Sequence, residues 1–209
     1  MAQRQSPQIS SRKQPKQARA NDLVAAVLDA AVQVLRTEGA ARFTTARVAE
    51  RAGVSVGSLY QYFPNKAAIL FRLQSDEWRQ TSELLNSILT DRARPPLERL
   101  RSLTHAFLRS ECAEAEVRIA LGDAAPLYRD APEADEIRAA SSQIFHDFIR
   151  ETLPRADSRT VELVADLIEA TLTQVGSSFS ETPRSDEEIA AYADTMADMF
   201  AAYLPKIVE

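Results

Sequence analysis

Hydrophobic residues recur along most of the chain at the spacing of one helix face, and short breaks with proline or glycine separate these stretches. In the first stretch, Val24, Leu28 and Leu35 fall on one side of a helix, which predicts an amphipathic helix. This helix should begin near Asn21 and end at Gly39, because glycine readily adopts the left-handed conformation in which many helices terminate.

The same helical spacing continues to the end of the chain. A long helix is predicted to begin at Lys66, and the last two helices are predicted over 158–176 and 186–204. Ser185 and the glutamate three residues later have the pattern of a capping box. No strand pattern or internal repeat appears, and five glycines are too few for the turns of a β-sandwich. The sequence therefore predicts an all-α protein of about nine helices.

The length and composition of the chain exclude several classes of protein. The chain has 209 residues, enough for one large domain or two small ones. Cys112 is the single cysteine, so neither an internal disulfide nor a cysteine-based zinc cluster can form. No apolar run reaches the length of a membrane span, and the N-terminus is polar. We therefore expect a cytoplasmic protein without a membrane partner.

The charges are distributed unevenly along the chain. The net charge is −5, yet basic residues outnumber acidic ones before residue 67 and acidic residues dominate afterwards. Residues 1–19 contain no acidic residue and no hydrophobic period, which predicts a flexible basic arm. A basic end on an acidic protein indicates contact with a polyanion, although a solubilising tail explains the arm equally well.

The most informative segment is residues 44–63, TTARVAERAGVSVGSLYQYF. Thr45 is placed to cap a first short helix, whose Ala49 is small enough for close helix contact. Gly53 suits the tight turn that follows, and Leu59 is spaced to anchor a second short helix. This is the spacing of a helix-turn-helix, a unit whose second helix lies in the major groove of DNA. Other helical hairpins share the spacing, so it is only moderately specific.

The residues at the end of this segment strengthen the interpretation. Tyr60 and Tyr62 lie on or beside the second helix and Lys66 follows it, which supplies hydroxyl groups and a cation for contacts with phosphates. Both tyrosines are expected to be exposed, because so short a helix can hardly bury two of them.

Residues 20–75 resemble the DNA-binding region of the tetracycline-repressor (TetR) family of bacterial transcription regulators. The resemblance rests on an amphipathic first helix followed by FTTARVAERAGVSVGSLYQYFPNKAAIL, with its threonine-capped helix, Ala-Gly-Val-Ser turn and Leu-Tyr-x-Tyr-Phe-x-x-Lys end. It implies a helix-turn-helix DNA-binding domain of three helices over 20–66 and a larger helical effector-binding and dimerisation domain over 67–209. The rest of the chain resembles the family only in being helical and of suitable length.

The resemblance also implies which residues contact DNA. The residues at DNA-contacting positions of the family are Thr45, Ala46, Arg47, Val56, Gly57, Ser58, Tyr60, Gln61, Tyr62 and Lys66. Gln61 is the one expected to read a base through hydrogen bonds, with a solvated surface glutamine as the alternative, whereas Val56 offers only apolar contact with a thymine methyl group. Arg47 is equally well explained as a solvated charge on its helix.

Two further sets of residues are predicted in the C-terminal part. The last two helices have broad apolar faces, which predicts packing on their own domain on one side and on a second copy of the chain on the other. The residues predicted at this homodimer interface are Leu172, Val175, Phe179, Tyr192, Met196, Met199, Phe200 and Tyr203. The residues predicted to line an effector cavity are Trp78, Leu85, Phe107, Phe148 and Leu172, whose character favours a small apolar or aromatic ligand. Ordinary core packing is the alternative for each residue.

Other kinds of chemistry find no support in the sequence. His105, Cys112 and His146 are too scattered to predict a metal site, and no catalytic or cofactor-binding motif is present. The prediction is a ligand-responsive repressor, not an enzyme, that binds a palindromic operator in double-stranded DNA as a homodimer. A DNA-binding protein indifferent to sequence and a small helical enzyme without a recognisable motif are the alternatives.

Overall fold

The structure, a computed structural model, describes residues 18–127 and 132–207, so residues 1–17 of the predicted basic arm lie outside the described part. The described ranges contain nine α-helices and no strand, which confirms the predicted all-α fold. The helices are α1 (Ala18–Arg42), α2 (Thr45–Arg51), α3 (Val56–Tyr60), α4 (Lys66–Leu89), α5 (Pro96–Ala113), α6 (Ala115–Ala124), α7 (Pro132–Thr152), α8 (Ser158–Ser180) and α9 (Asp186–Tyr203). In these ranges no helix is both long enough and apolar enough to cross a membrane.

The described chain divides into two compact units. The first contains the residues up to Trp78 together with Glu116–Glu136, and the second contains Arg79–Ala115 together with the residues from Ile137 onward. The first unit therefore extends beyond residue 66, the predicted end of the DNA-binding domain. It includes the N-terminal turns of α4, where residues 67–71 are buried.

A glycine interrupts α1 at the predicted position. Gly39 has φ +72° and ψ 172°, outside the helical region, and helical geometry resumes only for the last residues before Arg42. Glycine adopts this positive φ without the clash that a Cβ atom would cause. The helix before it is amphipathic as predicted, with Val24 and Leu35 buried and Leu28 half-buried.

Side-chain caps mark the beginnings of helices. Thr44, not the predicted Thr45, caps α2, because it is Thr44 that has the extended backbone of a cap and accepts a 3.3 Å hydrogen bond from the amide of Arg47. At α9 the predicted capping box is confirmed, with hydrogen bonds of 3.2 Å and 2.8 Å between Ser185 and Glu188. The amide of Ser185 holds the pKa of the Glu188 carboxyl below its ordinary value.

The predicted end of the penultimate helix at Gly176 is wrong, because α8 continues through this glycine to Ser180. Gly176 is buried where α8 packs against α5. A Cβ atom at this position would lie 2.9 Å from Cε1 of Phe107 and 3.4 Å from Cδ2 of Leu108. The glycine therefore permits close contact between two helices and does not end one.

The second unit packs α5 against α8 and α9 around an apolar core that contains one buried cation. Arg99 pairs with the carboxylate of Glu151, donates a hydrogen bond to the carbonyl of Leu89, and lies 5.2 Å from the centre of the Phe148 ring. The hydrogen bond from Arg99 to Glu151 holds the pKa of the Glu151 carboxyl below its ordinary value. Arg99 thus ties the C-terminal end of α4 to α5 and α7.

A polar cluster joins the exposed sides of α5 and α9. Arg101 pairs with Asp194 at 2.7 Å and also with Asp198, while Nε2 of His105 lies 3.0 Å from the Asp194 carboxylate. The hydrogen bond with His105 is the main cause that lowers the pKa of the Asp194 carboxyl, and the guanidinium of Arg101 adds to it.

Candidate nucleic-acid interface and internal cavity

The turn between α2 and α3 has the geometry of a helix-turn-helix. Ala49 and Leu59 are fully buried, which allows α2 and α3 to approach closely. Gly53 has φ +67°, and the next amide, that of Val54, donates a 3.0 Å hydrogen bond to the carbonyl of Ala49. The glycine is needed here because an L side chain at this φ would be strained.

The second helix of the motif is short and capped at its start. The hydroxyl of Ser55 accepts a 3.0 Å hydrogen bond from the amide of Ser58, and the two hydroxyls lie 2.8 Å apart. Val56 and Tyr60 are each 40% exposed, although both are large hydrophobic residues. An apolar and an aromatic side chain therefore stand in solvent on α3, on the helix that lies in the major groove in proteins of this design.

The two tyrosines of the motif differ in exposure, and the expectation that both are exposed is wrong for Tyr62. Helix α3 ends at Tyr60, and the chain then turns so that Tyr62 is only 8% exposed, next to the buried Phe63. Tyr60 remains at the surface, where its hydroxyl lies 3.1 Å from Oγ1 of Thr45. Tyr62 therefore supports the packing of the unit, while the hydroxyls of Tyr60 and Thr45 form one exposed pair.

The other predicted contact residues are accessible to different extents. Ala46, Gly57 and Gln61 are exposed, and Ser58 is half-buried. The guanidinium of Arg47 pairs with the carboxylate of Glu38 on α1, an interaction that holds it to its own unit.

Lys66 is exposed at the start of α4, and among the described residues no carboxylate forms an ion pair with it. A cation exposed at this point is accessible to a phosphate oxygen.

The second unit contains a cavity of about 110 Å³ that is partly open to solvent. Its apolar lining consists of Leu85, Leu89, Leu103, Phe107, Phe145 and Leu172. Leu85, Phe107 and Leu172 were predicted at such a site, whereas Trp78 and Phe148 are not among the lining residues. Phe148 instead packs in the core, with its ring 6.2 Å from that of Phe145.

The cavity also has a polar side that the sequence reasoning missed. Its polar lining residues are Ser82, Asn86, Glu169 and Thr173. The hydroxyl of Ser142 on α7 donates hydrogen bonds of 3.1 Å and 3.3 Å to the two carboxylate oxygens of Glu169. One signal was present in the sequence, because Glu169 lies three residues before Leu172 and one after Ile168, within the inward-facing stripe of α8.

The residues predicted at a homodimer interface fall into three groups. Leu172, Met196 and Phe200 are buried in the core of the second unit, which leaves them little surface for contact with a second copy of the chain. Val175, Phe179 and Tyr203 are half-buried. Tyr192 and Met199 are exposed, and the ring of Tyr192 stacks on that of Phe179 at 4.2 Å.

Two exposed leucines on α8 were not predicted. Leu163 and Leu167 are 59% and 49% exposed and lie one helical turn apart on the outward side of the helix. With Tyr192 and Met199 of α9 they give the outward surfaces of both helices an apolar component. These four residues are called the exposed α8–α9 set below.

No group of three or more histidine, cysteine, aspartate or glutamate residues in the described ranges could hold a metal ion. Cys112 is half-buried and takes part in no disulfide.

Two segments of the chain match families of known proteins. Residues 95–207 match the family described as "Tetracyclin repressor-like, C-terminal domain", and residues 27–73 match "Bacterial regulatory proteins, tetR family". The second match contains the complete helix-turn-helix, and the first covers more than half of the chain.

The chain is also similar to individual proteins. It is 40% identical over 83 residues to the nucleoid occlusion factor SlmA of Vibrio campbellii, which covers 39% of this chain and 42% of that protein. It therefore spans less than half the length of this relative. SlmA of Aliivibrio fischeri is 31% identical over 170 residues, which cover 77% of this chain and 83% of the relative.

Among solved structures, the transcriptional regulator FadR of Bacillus subtilis in complex with stearoyl-CoA has the same fold. It has a TM-score of 0.66 at 19% identity and covers 84% of this chain and 96% of that chain. The fold, the helix-turn-helix and the two matched segments agree with one another. The chain belongs to the TetR family of bacterial regulatory proteins.

Proposed function

We propose that the protein is a sequence-specific DNA-binding transcription regulator that acts as a repressor in the cytoplasm. The observation that carries this proposal is the helix-turn-helix with Val56, Tyr60 and Gln61 exposed on or directly after α3. A major groove offers both thymine methyl groups for an apolar side chain and base edges that form hydrogen bonds with an amide.

Within this proposal the exposed residues have separate tasks. Gln61 hydrogen-bonds a base edge, and Val56 contacts a thymine methyl group. The hydroxyl pair of Thr45 and Tyr60 and the cation of Lys66 bind phosphates, which positions the helix without selecting a sequence. Arg47 contributes little, because its charge is already paired with Glu38.

Gel retardation with the DNA upstream of the gene tests the proposal. Binding should weaken at least about tenfold between 50 and 200 mM salt, as expected for phosphate contacts. Gln61→Ala should reduce the preference for this DNA over bulk DNA, whereas Gln174→Ala, a change at an exposed glutamine of α8, should not. An unchanged preference in the Gln61 variant would contradict the assigned base contact.

We further propose that the regulator binds a palindromic operator as a homodimer. The exposed α8–α9 set supplies the apolar contact surface, in place of the buried residues first predicted. Two copies related by a twofold axis would present two α3 helices to two half-sites, so the symmetry of the operator would mirror that of the protein.

An effector bound in the cavity would control release from DNA. Leu85 and Leu89 of α4 line the cavity, and the same helix begins at Lys66, beside the proposed phosphate contacts. A ligand releases the operator only if it binds more tightly to the protein conformation that fits DNA poorly. The complex of FadR, which shares this fold, with stearoyl-CoA supports the proposal that this protein also binds a small molecule.

A second candidate function is nucleoid occlusion, which is favoured by the similarity to SlmA of Aliivibrio fischeri over 83% of that protein. Deleting the gene and imaging cells distinguishes the two functions. If the protein is a nucleoid occlusion factor, septa should form over unsegregated DNA in the deletion strain. If it is a repressor, transcription of a small set of genes should increase and septum positions should stay normal.

A further inference from the structure

We propose that the cavity binds a small aromatic molecule that carries a positively charged amino group, and that Glu169 recognises this group. The inference deepens the proposed effector role and rests on it for its biological meaning. It concerns which chemical class of ligand the cavity selects.

The size of the cavity suits a group of about one ring. An apolar cavity of about 150 Å³ holds benzene, and the cavity here measures about 110 Å³. A ring-sized group would fill it, with a short substituent left at the polar side. Phe107 and Phe145 on the wall favour an aromatic ring, because aromatic pairs gain about 0.5–1.5 kcal/mol beyond their burial.

The charge at the polar side selects the substituent. Glu169 is half-buried, and its carboxylate accepts hydrogen bonds from the Ser142 hydroxyl. Glu169 lines the cavity, and among the described residues no basic side chain pairs with its carboxylate. A carboxylate has about four lone-pair sites, and one hydroxyl hydrogen leaves acceptor capacity for a ligand.

The same charge disfavours other ligand classes. An anionic ligand would place like charges together in a partly desolvated site, which raises the cost of binding. A neutral alcohol would form only an ordinary hydrogen bond, whereas an ammonium group forms a charge-assisted one, which is roughly twice as strong. Asn86 and Thr173 can orient the substituent but do not discriminate by charge.

Three probes of matched shape test the inference on the full-length protein: benzylamine, benzyl alcohol and benzoate. NMR titration of the methyl groups of Leu85, Leu89, Leu103 and Leu172 reports binding inside the cavity. We expect benzylamine to bind about tenfold more tightly than benzyl alcohol, because of the charge-assisted hydrogen bond, and benzoate to bind most weakly. Benzoate binding as tightly as benzylamine would overturn the inference without any mutation.

Substitutions then assign the preference to one carboxylate. Glu169→Gln keeps the size of the side chain and should abolish the preference for benzylamine over benzyl alcohol. Glu162→Gln, a matched change at an exposed glutamate of the same helix, should leave it intact. A preference that survives Glu169→Gln would overturn the assignment. These titrations contain no DNA, so operator retardation by the ligand-free protein tests the proposed regulator function separately.

Discussion

Tyr60 and Tyr62 are two residues apart and chemically identical, yet the fold gives them opposite surroundings. The hydroxyl of Tyr60 is exposed beside Thr45, while Tyr62 is buried with Phe63. The difference arises because α3 ends at Tyr60, which breaks the helical spacing that the sequence alone would extend. Of the two tyrosines, only Tyr60 therefore has an exposed side chain.

Substitutions at the two positions should separate binding from stability. Tyr60→Phe removes one exposed hydroxyl and should weaken operator binding about ten- to hundredfold, as expected for one hydrogen bond to a charged phosphate. Its melting temperature should stay the same. Tyr62→Ala removes a buried ring and should destabilise the fold by about 3–5 kcal/mol. Gel retardation measures operator binding and thermal unfolding measures stability. A stability loss for Tyr60→Phe together with a binding loss alone for Tyr62→Ala would contradict these roles.

The stability of the fold should depend on pH through Asp194 in the polar cluster of α5 and α9. Its carboxyl has a lowered pKa in the folded protein, mainly because of His105, so the folded state favours the ionised form. Such a group stabilises the fold above the ordinary carboxyl pKa, and this contribution is lost as the pH falls through the lowered value.

The matching experiment compares melting temperatures of the wild type and Asp194→Asn from pH 7 to pH 3. The wild type should be more stable at pH 7, and the difference should shrink toward pH 3. Glu162→Gln, at a position without a charged partner in the described ranges, serves as the control and should show a smaller effect. A constant difference for Asp194→Asn over the whole range would contradict the assigned interaction.

At the scale of single residues, the sequence predicts less than at any larger scale. The burial of Tyr62 and the inward direction of Met196 and Phe200 depend on where each helix ends and how it is rotated. A hydrophobic stripe in the sequence does not determine the end of a helix or its rotation to within one residue. Glu169 was missed for a related reason, because a charged residue on a broad amphipathic helix is normally assigned to solvent.

At the scale of helices, two glycines that lie inside helices, Gly176 and Gly122, differ in the space around them. Gly176 lies where α8 meets α5, with Phe107 in the space that a Cβ atom would need. Gly122 on α6 has no atom within 4 Å of that point. Both are inside helices, so alanine should improve helix propensity at either position by up to about 1 kcal/mol.

The two alanine variants should therefore shift stability in opposite directions. Gly122→Ala should increase the free energy of unfolding, whereas at Gly176 overpacking of about 1–3 kcal/mol should exceed the gain in propensity. Because Phe107 also lines the cavity, Gly176→Ala should in addition weaken the binding of benzylamine. Urea denaturation measures the first effect and NMR titration the second. Stabilisation by Gly176→Ala would show that Phe107 moves aside freely.

Most helices were predictable from sequence because their signals are local. The break at Gly39 and the capping box at Ser185 require only neighbouring residues, and both occur as predicted. The helix-turn-helix was predictable because the spacing of its small, glycine and aliphatic residues is determined by the contact between two adjacent helices. The continuation of α8 through Gly176 was not, since it depends on α5, nearly seventy residues earlier in the chain.

At the scale of the whole molecule, the proposed dimer depends on the exposed α8–α9 set. Leu167 is half exposed, so Leu167→Glu should leave the protomer folded but place an unpaired charge in the proposed interface. We expect a penalty of about 3 kcal/mol, which is roughly a hundredfold increase in the dissociation constant. Sedimentation should show monomers, and operator binding should weaken.

Leu97→Glu is the matched control, because Leu97 is similarly exposed but lies on α5. This variant should sediment as a dimer with unchanged operator binding. If Leu167→Glu stays dimeric while Leu97→Glu dissociates, the interface lies on another face.

The central claim is that the chain reads a specific DNA sequence through α3. The most direct test incubates the full-length protein with a pool of random double-stranded DNA and sequences the fragments that it retains. We predict enrichment of one palindrome, with half-sites separated by about one helical turn or more, and a changed consensus for Gln61→Ala but not for Gln174→Ala. Retention of DNA without any enriched sequence, or no retention at all, would contradict the claim.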